Sequence, residues 1–293
     1  MEGKKLKIFI TTSDEPLVIN SFIEEIIKAK SSQIIGIGLI NGKSTIPKVS
    51  GKGKKKNRSI LTRKASNVFS LILIFGVVGT IKNAIKILYF HVSKVTNRLI
   101  PFYPIKSIKY IAKKYGLPVH EFPTVNDEML IDLLNDLKPD IIINQAPGIL
   151  RESFLDTASI GVLNRHNALL PKNRGRFSPF WALYKQEQYT GVTVHFVVKA
   201  LDAGKIITQK RIGITKNETV SSLVKKCYSI APSAMIEAIE KLETGNYELL
   251  PNPDEEATYN TNPTLRQVIE LWRRSAKLNW FLSGSGVSRH SGE

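Results

Sequence analysis

Two short apolar runs with one amphipathic helix between them constrain this chain most. The first, Lys5 to Thr11, centres on Ile8-Phe9-Ile10, and the second, Gln33 to Ile40, reads QIIGIGLI before an Asn41-Gly42 turn. Between them, Pro16 to Lys30 places Val18, Phe22, Ile26 and Ile27 at helical spacing. Runs that are apolar on both faces suit strands covered on both sides, and a crossover helix of this length makes the two strands parallel neighbours.

The same rhythm returns downstream. Helices are predicted over Ile105–Lys114, Glu128–Leu137, Pro179–Lys185 and Thr219–Leu242, the last ended by Gly245. Strands are predicted at Val119, Asp140–Asn144, Ser159–Asn164, Gly191–Val198 and Ile206–Ile214. The fold class is therefore α/β, an open and mostly parallel sheet with helices on both faces. One catalytic-sized domain over residues 1–250 is expected, followed by a short helix (Thr264–Arg274) and a flexible glycine/serine tail within 251–293.

What interrupts the rhythm is basic. The chain carries +17 overall, yet from Ile26 to His120 there are 19 lysines and arginines and no aspartate or glutamate. The remainder holds 23 basic against 25 acidic residues and is electrically ordinary. A basic segment on a neutral body points to an anionic partner surface, either nucleic acid or a membrane leaflet. Within it, Gly42–Lys64 is lysine-rich and reads as a loop. Val68–Ile81 is apolar but shorter than the roughly 20 residues of a spanning helix. Ile81, Ile85, Leu88, Val92, Val95 and Leu99 then recur at helical spacing between Lys82, Lys86 and Lys94. This insertion, about 43–103, fits two arrangements: attachment to an anionic membrane surface through 43–100, or packing as a helical hairpin or homodimer interface. The single cysteine, Cys227, excludes a disulfide framework and multi-cysteine metal sites, and indicates a reducing, cytoplasmic compartment. Attachment would make the chain peripheral at the inner membrane face.

No phosphate-binding glycine loop, nucleophile elbow or H-E-x-x-H helix occurs, and the five histidines form no close metal pair, so no metal is expected. Attention falls on Asn164-Arg165-His166 at the carboxyl end of a strand, the edge where open α/β sheets bind ligands. Farther on, Leu201-Asp202-Ala203-Gly204 makes a turn between strands. An asparagine amide and a histidine can stabilise an oxyanion while a carboxylate orients the histidine and accepts a proton. His195, between Val194 and Phe196, reads as a sheet residue rather than a ligand. Trp181 and Tyr184 read mostly as core, and Cys227 as a small buried residue.

The stretch Asn164-Arg165-His166-Asn167-Ala168-Leu169-Leu170-Pro171-Lys172-Asn173-Arg174-Gly175, then Gly191-Val192-Thr193, then Leu201-Asp202-Ala203-Gly204-Lys205-Ile206 resembles the 10-formyltetrahydrofolate-dependent formyltransferases. The family pattern is N-x-H-x-S-L-L-P-x-x-R-G, G-x-T and L-D-x-G-x-I, matched here in order and spacing. The resemblance implies a Rossmann-like fold, 10-formyltetrahydrofolate as formyl donor, no metal, and Asn164, His166 and Asp202 as the catalytic triad. It also implies that the loop containing Pro147, Ile149 and Leu150, together with Leu201, holds the folate. Arg174 and Arg176 stand where they could meet a substrate phosphate. Ala168 replaces the family's usual serine, and Asn173 stands where an aromatic is frequent; both bear on substrate preference.

The family's acceptors include methionyl-tRNA, nucleotide precursors, amino sugars and water. The tRNA enzymes resemble this core with a C-terminal barrel, whereas here 48 residues follow Gly245. The expected acceptor is therefore the amine of a nucleotide-linked or lipid-linked amino sugar. Methionyl-tRNA, bound through the basic insertion, is the first alternative, and a non-catalytic membrane- or RNA-binding member of the fold the second.

Overall fold

A computed structural model describes residues 5–42, 60–96, 106–245 and 247–274. Its centre is a seven-stranded sheet. β1 (Ile8–Thr12), β2 (Ile34–Ile40), β3 (Val119–Phe122), β4 (Ile141–Gln145) and β5 (Gly161–His166) all run parallel. β6 (Arg174–Gly175) lies outside this sheet, and β7 (Tyr189–Phe196) and β8 (Ile206–Gly213) complete it antiparallel. The order β3-β2-β1-β4-β5-β7-β8 puts a topological switch between β1 and β4, where a crevice opens at the carboxyl ends.

Both faces are covered, as the apolar runs require. On one side α1 (Ile19–Lys30), α3 (Ile108–Lys114) and α7 (Val220–Thr244) bury Phe22, Ile23, Ile26, Ile27, Ile111, Ala231 and Met235 against Ile8, Ile10 and Leu163. On the other, α4 (Glu128–Leu137) and the single turn α5 (Glu152–Leu155) cover Phe9, Ile142 and Val162. Each fully buried Leu, Ile or Phe contributes roughly 1.5–3 kcal/mol, so these layers are the main source of stability. Helix ends are marked locally: Asp127 caps α4, Thr219 and Ser222 form a capping box on α7, and Gly245 closes α7 in the left-handed region.

Residues 60–64, expected in the basic loop, begin α2 (Ile60–Thr96), which breaks at Gly76 (φ 73°, ψ 166°) where only glycine is unstrained. Residues 43–59 and the tail 275–293 lie outside the described residues. Near Ile74 the helix packs on the chain's own body, in a cluster with Phe180, Trp181, Val220 and Val268. Past the break, Ile81, Ile85 and Leu88 are exposed. No helix among the described residues is long and apolar enough to cross a membrane.

Pairing and packing continue across residue 250. β9 (Tyr259–Asn260) pairs with β6, and Leu250 bridges to Ile206. α6 (Ser178–Tyr184) and α8 (Leu265–Arg274) share a cluster, joined by Tyr184 Oη donating to Glu270 (2.6 Å) and Trp181 Nε1 donating to the Thr261 carbonyl (2.9 Å). The segment 250–274 is thus part of the wall around the loop that follows β5. Its polar spacing hid this, because short two-residue strands carry no readable alternation.

Candidate active site

Buried polar residues collect at the carboxyl ends of β1, β4 and β5: Thr11, Thr12, Asn144, Gln145, Arg165 and His166 are each at most 9% exposed. An apolar strand that turns polar in its last two residues, as β4 does at Asn144-Gln145, marks where the sheet stops being core and starts lining a crevice. By strand alternation Asn164 and His166 share one face of β5 while Arg165 points to the other.

His166 is held tightly. Its Nε2 meets the Asn173 carbonyl at 2.8 Å and Ser178 Oγ at 3.1 Å, while Nδ1 faces Asp202 Oδ2 at 3.6 Å. The protonated ring would donate Nε2–H to the carbonyl and turn Nδ1–H toward the carboxylate. Asp202 comes from the loop between β7 and β8, in the left-handed region (φ 50°), and is 8% exposed. The Gly175 amide donates to its Oδ2 at 2.7 Å. Gly175 itself has φ +95°, and a Cβ there would lie 2.3 Å from the Asn260 carbonyl, so the residue that fixes Asp202 must be glycine.

Asn164 is oriented by a relay that sequence reading missed. Arg165 can only donate. Its Nη2 and Nε donate to Gln145 Oε1 at 3.0 and 3.2 Å, and the guanidinium lies over the Tyr228 ring, 4.4 Å from its centroid. Gln145 must then point its amino group the other way, and Nε2 donates to Asn164 Oδ1 at 3.0 Å. With Oδ1 engaged, the amide of Asn164 presents its NH2 to the crevice. The orientation of a donor on one face of the sheet is thereby set by a cation on the other. The only signal in the sequence was the polar pair ending an otherwise apolar strand.

His195 was read as an ordinary sheet residue, yet it is the register partner of Asn164, and its Nε2 lies 3.7 Å from Asp202 Oδ1. Its Nδ1–H donates to the Phe196 carbonyl (2.8 Å), which leaves Nε2 as a buried nitrogen without a hydrogen-bond partner. Burial pushes this imidazole down to about 4, only partly opposed by the Asp202 charge. Asp202 therefore sits between two histidines of unlike surroundings. The period-two spacing of Gly191, Thr193 and His195 on β7 was the available clue.

The remaining site expectations divide. Arg174 is not placed for substrate: it is fully buried, and its guanidinium donates to Asp254 (2.5 Å), Tyr259 Oη (2.7 Å) and both the carbonyl and Oδ1 of Asn252 (2.9 Å each). It clamps the 250–260 segment onto the loop that carries His166's partner Asn173. Arg176 is exposed. Asn173, the departure from the family pattern, spends its side chain on Glu187, Lys185 and Asn260, and so fixes the carbonyl that His166 meets. Pro147 and Ile149 are exposed, whereas Leu150 is buried in the second core cluster, so its side chain is not open to a ligand. Leu201 is 58% exposed, as is Ile149, and the loops bearing them are joined by an ion pair between Lys199 and Glu152 (3.2 Å). Among the described residues no group of three or more metal-capable side chains is assembled. Cys227 is buried, with its thiol pushed up to about 12 by desolvation.

A family model described as formyl transferase matches residues 90–239, just over half of the chain. The chain belongs to the formyl transferase family, whose members use 10-formyltetrahydrofolate. It is 34% identical over 163 residues to a methionyl-tRNA formyltransferase of Kosmotoga olearia, covering 55% of this chain and 52% of that protein. The chain thus spans about half the length of the curated relatives it matches. The fold is shared with a phosphoribosylglycinamide formyltransferase from Anaplasma phagocytophilum (TM-score 0.55, 16% identity, 88% of this chain and 100% of that one). It is shared too with an N-formyltransferase from Helicobacter canadensis in complex with folinic acid and dTDP-3-aminofucose (TM-score 0.52, 17% identity, 88% and 71%).

Proposed function

We propose that the chain transfers a formyl group from 10-formyltetrahydrofolate to a primary amine, with Asn164, His166 and Asp202 as the catalytic residues. The observation that carries this reading is the convergence of an outward-facing Asn164 amide, a clamped His166 and a buried Asp202 at the carboxyl end of β5. The amine nitrogen attacks the formyl carbon, and the carbonyl oxygen takes up negative charge. Asn164 Nδ2–H and the His166 Nδ1 edge, whose 3.6 Å gap to Asp202 leaves it free of a hydrogen bond, lie beside the crevice to stabilise that oxyanion, an effect worth about 10²–10³ in rate per donor. Asp202 accepts the proton lost by the amine. The bond from the formyl carbon to folate N10 then breaks, and the proton passes to N10 of the leaving tetrahydrofolate. The exposed apolar pair Ile149 and Leu201 would flank the folate ring, with backbone groups of the Pro147–Leu150 loop as its hydrogen-bond partners.

For the acceptor, the curated relatives support the α-amine of methionyl-tRNA over the amino sugar expected from sequence, since those at 32–37% identity carry that name. The amino-sugar reading keeps one specific support, the fold neighbour bound to dTDP-3-aminofucose. Both acceptors carry phosphate, which suits exposed Arg176 and the excess positive charge. The test is tetrahydrofolate release with each acceptor and with none. Turnover that requires either amine supports the reaction and identifies the acceptor; tetrahydrofolate release at the same rate without any amine would contradict it.

A further inference from the structure

Helix α2 is amphipathic the wrong way round for a helix packed on its own domain. Beyond the Gly76 break, the buried or half-buried positions are Gly79, Thr80, Asn83, Lys86, Tyr89 and Phe90, centred on the Gly79–Asn83–Phe90 side. At about 100° per residue, Val78, Ile81, Ile85 and Leu88 fall on the opposite side. These four are 39%, 53%, 55% and 66% exposed. A contiguous aliphatic stripe on the solvent side of a helix marks an interaction surface.

The charge around the stripe says what covers it. Lys82 is exposed and borders it on one edge, Lys86 is half-buried beyond Lys82, and the sequence from Ile26 to His120 offers no carboxylate to pair with them. A second copy of the chain laid face to face would set lysines against lysines, which opposes association. RNA is bound through cationic grooves with aromatic stacking platforms, and the stripe residues are all aliphatic. Aliphatic insertion beside lysine heads matches a bilayer with anionic headgroups, where the apolar residues enter the acyl boundary and the ammonium groups remain at the phosphates. We infer that the Val78–Leu88 face of α2 docks on an anionic lipid surface. A helix lying in the interface, not spanning, fits its exposed stripe and its attachment to the body through Ile74 and Phe75.

The test is sedimentation of the full chain with phosphatidylcholine vesicles, with and without phosphatidylglycerol, at low and high salt. The expected result is binding to phosphatidylglycerol vesicles, weakened by salt, and little binding to phosphatidylcholine alone. The combined variant Ile81→Ser, Ile85→Ser, Leu88→Ser loses at least about tenfold in partitioning, with unchanged circular dichroism and unchanged formyl transfer to a soluble acceptor. Lys82→Gln lowers it about fivefold, and it carries the test if the triple variant loses helix content. Absence of binding to phosphatidylglycerol vesicles would overturn the inference. So would triple and Lys82→Gln variants that bind as well as wild type, or a lipid-free dimer that the triple substitution dissociates.

Discussion

Replacing Gln145 with glutamate changes one NH2 to an oxygen, and the relay on β4 and β5 makes the consequence specific. In the wild-type chain Arg165 takes Oε1 and leaves Nε2 for Asn164 Oδ1. A glutamate would accept from Arg165 with one oxygen and turn the other toward Asn164, so the Asn164 amide must rotate to donate. Its carbonyl oxygen then faces the crevice where the oxyanion forms. A hydrogen bond to a charged group contributes about 1.5–3 kcal/mol, so the unproductive orientation dominates by about 10- to 150-fold. The expected result is kcat lowered by about that factor, with donor KM little changed and thermal stability kept by the Arg165 ion pair. Gln145→Met behaves in the opposite way. With no preference imposed, the two amide orientations become nearly equal and the rate falls only about twofold, while Arg165 loses a buried acceptor and stability drops. Stopped-flow or steady-state release of tetrahydrofolate, with thermal melts on the same samples, separates the two. A glutamate variant at wild-type kcat, or a methionine variant that is the slower of the pair, would refute the orientation relay.

Three further outcomes follow from named contacts. His195 is neutral and buried with its folded pKa near 4, below the unfolded value of 6.5; the unfolded chain therefore binds more protons between those limits. Stability should fall as pH drops from about 6.5 toward 4, by at most about 1.4 kcal/mol per pH unit, and urea titrations of His195→Gln should show a flatter acid limb. Arg174→Met removes the clamp on residues 252–259 and should cost about 2–4 kcal/mol in chemical denaturation; proteolysis near Asp254 should accelerate as well. Gly175→Ala forces its Cβ onto the Asn260 carbonyl and withdraws the amide from Asp202. It should reduce kcat more than donor affinity, measured by parallel kinetics and folate-analogue titration.

Much of the fold was legible because strands buried on both faces have to be continuous apolar runs. Ile8–Ile10, Ile34–Ile40 and Ile141–Ile143 were all found that way. Motif spacing singled out Asn164, His166 and Asp202, which the fold brings together at the carboxyl end of β5. What stayed hidden depends on pairing between distant segments. Arg174 looked available because a lone arginine in a loop usually is, and nothing local to it reveals that Asn252, Asp254 and Tyr259 fold back over it. His195 looked ordinary because its partner across the sheet, Asn164, and its neighbour in space, Asp202, are set by an antiparallel register that sequence spacing does not give. α2 kept its periodicity readable, but which side would be buried depended on α7 and α8.

The central claim is that Asp202 accepts the proton from the attacking amine while Asn164 and His166 hold the oxyanion. The most direct test is the single-turnover rate of formyl transfer by Asp202→Asn, whose side chain keeps the shape and can still accept from the Gly175 amide. The account predicts a rate lowered by about 10²–10⁴ with the binding of 10-formyltetrahydrofolate retained. An asparagine variant that transfers the formyl group at the wild-type rate would contradict it.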